Sequence, residues 1–218
     1  MIRLLLDAGS DVNAVASNGW TVLMAAACYN RNPDVVSLIL EAGASIDARN
    51  PEGSTALMRA AAHCQSPAVL RRLLAAGAEI DARDKTGHTA VMYAAATNEN
   101  PEIIFALIGA GADLEAADRE GYTALIFAAA SNQNSEVAAR LVAGGAAVDA
   151  QDRYGTTALM WAAQGKNPAT VSALLQAGAD VSVEDWTGRK ARDYILENRD
   201  LKDTAAGAEL MQKTPAPR

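Results

Sequence analysis

Side chains equipped for reactive chemistry are few in this sequence and seldom adjacent. The two histidines, His63 and His88, and the two cysteines, Cys28 and Cys64, are the natural candidates for metal binding, nucleophilic attack or proton transfer. Only His63 and Cys64 are neighbours, and two adjacent residues on a loop more often coincide by position than form a ligand pair. No CxxC, paired-histidine, nucleophile-elbow or phosphate-loop pattern occurs, and Gly109-Ala110-Gly111 reads as a helix exit rather than a dinucleotide fingerprint. Carboxylates are plentiful, but most occupy turn or helix-start positions, where they have structural uses. The expectation is a chain with no catalytic residue, no metal site and no cofactor.

Bulk properties narrow the remaining classes. The 218 residues carry a net charge of −7, which argues against a general nucleic-acid binder with its basic face. No apolar run approaches the roughly 18 residues of a membrane-spanning helix, so membrane insertion is not expected. Two cysteines at non-equivalent places do not make a disulfide framework, and free thiols fit a reducing compartment. A cytoplasmic protein is expected, with a periplasmic or secreted one as the alternative if an upstream signal is missing.

The elements that position these residues follow from a repeat. The stretch Thr89-Ala-Val-Met-Tyr-Ala-Ala-Ala96 returns in altered form from Thr21, Thr55, Thr123 and Thr157, each 34 residues from the next. A fixed period of this length marks a solenoid, in which each unit packs on its neighbours. Within a unit, Asn50-Pro-Glu-Gly53 and its counterparts Asp84 to Gly87, Asp118 to Gly121, Asp152 to Gly155 and Asp185 to Gly188 read as turns. Threonine then caps a short alanine-rich helix, whose small residues permit close helix packing. Asn30, Asn98 and Asn132 stand where that helix ends and are assigned the left-handed conformation asparagine tolerates. Asn32-Pro33, Ser66-Pro67, Asn100-Pro101 and Asn167-Pro168 start a second helix, and Gly43, Gly77, Gly111, Gly145 and Gly178 close it.

A turn, a T-x-L-x-x-A-A helix, a V-x-x-L-L helix and a Gly-Ala exit closely resemble the ankyrin repeat. The resemblance implies an all-α, ankyrin-like helical repeat solenoid of helix-turn-helix pairs with projecting turn or hairpin loops. Three departures recur. Valine or alanine replaces the family's proline, and methionine or isoleucine replaces its histidine (Met24, Met58, Met92, Ile126, Met160). An extra residue between the helices lengthens the period. A methionine seam is expected to fill the space of the family's histidines. A single domain over residues 1–212 is expected. It comprises a partial first repeat at 1–14, full repeats at 15–48, 49–82, 83–116, 117–150 and 151–183, and a capping repeat at 184–212, with 213–218 as a tail. A last helix is expected near Leu201 to Gln212, burying Leu201, Ala205, Ala208 and Leu210.

Recognition is the chemistry this pattern offers. Four residues after the threonines, the units carry Ala25, Arg59, Tyr93, Phe127 and Trp161, and just before them Trp20, Ser54, His88, Tyr122 and Thr156. Tyr29 lies eight residues after its threonine, and Tyr154 and Trp186 fall on turn tips. Eight of the ten aromatics thus take positions on the first helices and turns, which in proteins resembling ankyrins form the inner, concave surface that grips a partner. The expected partner-binding residues are Trp20, Tyr29, Arg59, His88, Tyr93, Tyr122, Phe127, Tyr154, Trp161 and Trp186, with charged turn tips at Arg49, Arg83, Lys85, Arg119 and Arg153. The leading expectation is a non-catalytic, monomeric scaffold that binds another protein. The alternatives are end-to-end self-association through Met1, Ile2 and Leu5, and the regulatory part of a larger enzyme.

Overall fold

The computed structural model of the protein describes residues 10–214. The half-unit helix expected at residues 1–9, its apolar end, and the tail from residue 215 lie outside the described residues. Those described form twelve α-helices and no extended strand, with two isolated antiparallel bridges, Val15 to Thr21 and Gln151 to Thr157. The chain divides into two compact units, residues 1–113 and 114–218.

The first unit holds α1 (Val22–Tyr29), α2 (Pro33–Glu41), α3 (Ala56–His63), α4 (Pro67–Ala75), α5 (Ala90–Thr97) and α6 (Pro101–Gly109). Its helices form two layers: α1, α3 and α5 pack side by side, and α2, α4 and α6 pack behind them. Fully buried Ala60, Ala61, Ala94 and Ala95 let the first layer close up. Val36, Ile39, Val69, Leu70, Leu73, Ile103, Ile104 and Leu107 fill the space behind. The second unit repeats the plan with α7 (Ala124–Ser131), α8 (Ser135–Ala143), α9 (Ala158–Gln164), α10 (Pro168–Gln176), α11 (Ala191–Glu197) and α12 (Ala205–Lys213).

Helix starts follow from the threonines. The hydroxyls of Thr21, Thr55, Thr123 and Thr157 accept the amide N–H three residues on, at 3.2–3.4 Å. Removing such a cap costs about 1 kcal/mol. Thr89 differs, because its buried hydroxyl has no partner. Its backbone N–H instead reaches the Met92 thioether sulfur at 3.4 Å, as that of Thr55 reaches Met58. The methionine seam is core, with Met24, Met58, Met92 and Met160 all sealed from solvent.

Two sequence expectations are corrected. Asn30, Asn98 and Asn132 are not left-handed, since each is extended, with φ between −98° and −81°. In the first unit Asn98 works through its side chain: Nδ2 donates to the carbonyls of Ala61 and Cys64 at 3.0 and 2.9 Å, and Oδ1 accepts from Asn100 N. Asn198 does the same in the second, clasping the carbonyls of Ala163 and Gly165. Cys64, which stands where the other repeats of the first unit have asparagine, keeps this geometry with its sulfur accepting from Ser66 N at 3.4 Å and facing Asn30 O at 3.8 Å. The last helix starts four residues later than expected, with Thr204 as its cap. Its buried face is therefore Ala206, Gly207 and Leu210, while Ala205 and Ala208 are exposed. Gly207 is obligatory there, because a Cβ would stand 2.3 Å from the Leu201 carbonyl.

Candidate functional site

The turns that begin at Asp84, Asp118, Asp152 and Asp185 are each built around one carboxylate, whereas the turn at 50–53 uses the Asn50 amide oxygen. Asp84 Oδ1 accepts from the backbone of Thr86 and His88 at 2.8 and 2.9 Å, and Asp152 Oδ1 from Tyr154 and Thr156 at the same distances. Successive tips are stitched by backbone bonds of 3.0 Å: Lys85 N to Glu52 O in the first unit, and Arg153 N to Glu120 O and Trp186 N to Tyr154 O in the second. That approach explains Gly121, whose φ is +85° and where a Cβ would lie 2.8 Å from Arg153 N.

The second carboxylate oxygen reaches onto the helix that follows. Asp84 Oδ2 accepts from the Tyr93 hydroxyl at 2.7 Å, Asp152 Oδ2 from the Trp161 indole at 3.1 Å, and Asp185 Oδ2 from the Tyr194 hydroxyl. Sequence reasoning took these carboxylates as turn formers only. The signal for their second role was present as a separation of nine residues from turn aspartate to ring. Burial works to raise the Asp84 and Asp185 pKa values, but hydrogen bonds from Thr86 and Tyr93, and from Thr187 and Tyr194, outweigh it. Asp84 is lowered and Asp185 is held at about 2. Burial and the bond to Asp185 push the Tyr194 phenol up to about 12.

In the first unit the structure brings Tyr29, Trp20, Arg59, Tyr93 and His88 into one row. Trp20 stacks on Tyr29, with centroids 6.1 Å apart and planes at 18°. The Arg59 guanidinium lies 5.7 Å from the Trp20 ring centre and 5.1 Å from that of Tyr93, between the two. His88 meets Tyr93 edge-on at 5.5 Å. Arg59 Nη2 donates to Ser54 Oγ at 2.8 Å, so Ser54 joins the set although the sequence did not single it out. Burial, and then the positive charge of Arg59, lower the pKa of His63 nearby. Beside Trp20 and Tyr29 opens a groove of about 530 Å³, largely apolar, lined also by Val15, Val22 and Ala25.

The second unit assembles rings against rings. Tyr122 meets Phe127 and Trp161 edge-to-face, both at 5.6 Å. Tyr154 and Trp186 pair on adjacent tips at 6.4 Å. None of the ten aromatic residues is buried, and Tyr29 and Trp186 are each 77% exposed. Phe105 is exposed on α6 over a small hollow lined by Arg71 and Leu74.

The charged tips divide by what they hold. Arg49 donates to the carbonyls of Gly53 and Arg83, and Arg83 to that of Gly87, so both brace turns. Arg153 pairs with Glu120 at 2.6 Å and with the Tyr154 hydroxyl. Lys85 and Arg119 are exposed. Among the described residues no group of three or more His, Cys, Asp or Glu is arranged to hold a metal ion, and no helix is long and apolar enough to cross a membrane.

Comparison with known proteins agrees with this architecture. A family model described as "Ankyrin repeats (3 copies)" matches residues 1–84 and 91–185. No curated protein matches the sequence significantly. Among solved structures, the ankyrin repeat domain of Bcl-3, described as a unique member of the IkappaB protein family, superposes with a TM-score of 0.75 and 30% sequence identity. The match covers 92% of this chain and 89% of that one. With family-model coverage over most of its length and the same paired-helix repeats, the chain belongs to the ankyrin repeat proteins, whose repeats are generally protein–protein interaction modules.

Proposed function

We propose that this protein is a non-catalytic interaction module that binds another protein through the aromatic side chains of its first helices and turn tips. The observation that carries the reading is the partition of side chains. The core is alanine, leucine, valine, isoleucine and methionine with the two cysteines, while every tyrosine, tryptophan and phenylalanine keeps solvent access. Rings of this kind give a large apolar contact for little ordering entropy and dominate binding hot spots. Several are also held in place before any partner arrives: Tyr93 and Trp161 by turn carboxylates, Trp20 and Tyr29 by stacking. Such pre-ordering lowers the entropy lost on association.

Affinity capture from the source cell, read by mass spectrometry, tests this. Wild type should retain a protein that Trp20→Ala with Tyr29→Ala, or Phe127→Ala with Trp161→Ala, fails to retain. Circular dichroism should show full helicity in both variants. Capture unchanged in all ring variants would overturn the assignment of the face.

A further inference from the structure

The face of the first unit contains a charge with no counter-charge. Arg59 lies half-buried between the rings of Trp20 and Tyr93, and among the described residues no carboxylate pairs with it. Its Nη2 is taken by Ser54, and its Nε is buried without a partner. Among the described residues Nη1 makes no hydrogen bond, so it is the position left for an incoming acceptor. The π faces on either side offset part of the desolvation but cannot accept the in-plane N–H groups. Three other arginines are neutralised by a glutamate: Arg140 by Glu136, Arg153 by Glu120 and Arg189 by Glu197. Arg59 has no such partner although it is half-buried among rings, and it stands beside the apolar groove of Trp20, Tyr29, Val15 and Val22.

From this we infer that the first unit recognises an acidic peptide segment, with an aspartate or glutamate carboxylate on Arg59 and a neighbouring apolar side chain of the same segment in the groove beside Trp20. The inference rests on the proposed protein-binding face and names the chemistry of its partner. A planar guanidinium flanked by rings is already oriented for a charge-assisted bond, and such bonds are roughly twice as strong as neutral ones. The apolar neighbour follows from the groove, which has little else to select for.

The test is a random 16-residue peptide display library selected on the full chain, followed by solution affinities for the selected peptides. Selected sequences should share an acidic residue next to a large apolar one. Arg59→Gln should weaken them about tenfold or more, as should changing the acid to its amide, and the two changes together should cost little more than either. Arg59→Lys should fall between, which separates lost charge from a disturbed fold. Amide peptides that bind as tightly as acidic ones, yet lose affinity with Trp20→Ala, would overturn the acidic partner and leave the aromatic face standing. Peptides indifferent to both Arg59 and Trp20 would overturn both readings. Selection only of phosphorylated sequences from a kinase-treated library would replace the carboxylate by a phosphate and so overturn the inference as stated.

Discussion

The two units share a frame and differ in what they mount on it. At the position four residues after the first-helix N-cap, the first unit carries Ala25, Arg59 and Tyr93, and the second Phe127, Trp161 and Tyr194. In the first, a guanidinium is interleaved with rings, and in the second rings meet rings edge-on. The attachment is common to both: a turn aspartate spends one oxygen on its own loop and the other on a ring donor nine residues downstream. One scaffold can therefore exchange the chemistry of its face without rebuilding the support beneath it.

The largest expected effect tests that common support. Asp84→Ala and Asp152→Ala each remove bonds to two backbone amides and one ring donor, and each should cost about 2–3 kcal/mol in thermal or denaturant unfolding. Similar losses would show that the two units are braced alike, and a large difference would break the comparison. Next come the exchanges that make one unit resemble the other. Phe127→Arg should destabilise by about 1–2 kcal/mol, through loss of the edge-to-face contact and burial of a charge. Arg59→Phe should change stability by less than about 1 kcal/mol, because it removes a desolvated cation that no carboxylate compensates.

Acid sensitivity separates the units more finely. The carboxyl pKa values of Asp84 and Asp185 are depressed in the folded state, so their contribution is complete above the unfolded value near 4 and is lost as pH falls below it. For Asp185, held at about 2, the loss should extend over about pH 4 to 2, and Asp185→Asn should flatten the stability profile in that window. The smallest effects belong to Tyr29→Ala and Trp186→Ala. Both rings are 77% exposed, and unfolding should shift by no more than about 0.5 kcal/mol in either case.

Much of this was legible in the sequence because a repeat states each rule several times. The capping threonines, the N-cap asparagines before proline and the positive-φ glycines needed no tertiary information. The errors came where a side chain acts over a distance. Asn98 looked like a local helix stop because asparagine tolerates left-handed backbone, but its amide is satisfied by carbonyls 34 and 37 residues away. The last helix begins only at Ala205, because Leu201, which fits its apolar stripe in sequence, is buried from a turn instead. At the face, residue types and spacing located the rings but not their tethers. The repeat position separates Arg59 on a helix from Arg49 and Arg83 at the turns, but not the packing of the first between two rings or the carbonyls that the other two brace.

The asparagine clasps have a consequence for how such a chain can change length. Within the first unit, Cys64 faces a carbonyl 34 positions upstream, and Asn98 grips one at the same separation. Duplicating or excising 34 consecutive residues there hands every clasp an equivalent carbonyl. A change of one or two residues between them obliges the donor to take other carbonyls, as Asn198 does with acceptors 35 and 33 residues upstream. Growth or loss by whole periods thus preserves every clasp unaltered, whereas drift by single residues survives only where a neighbouring carbonyl can stand in.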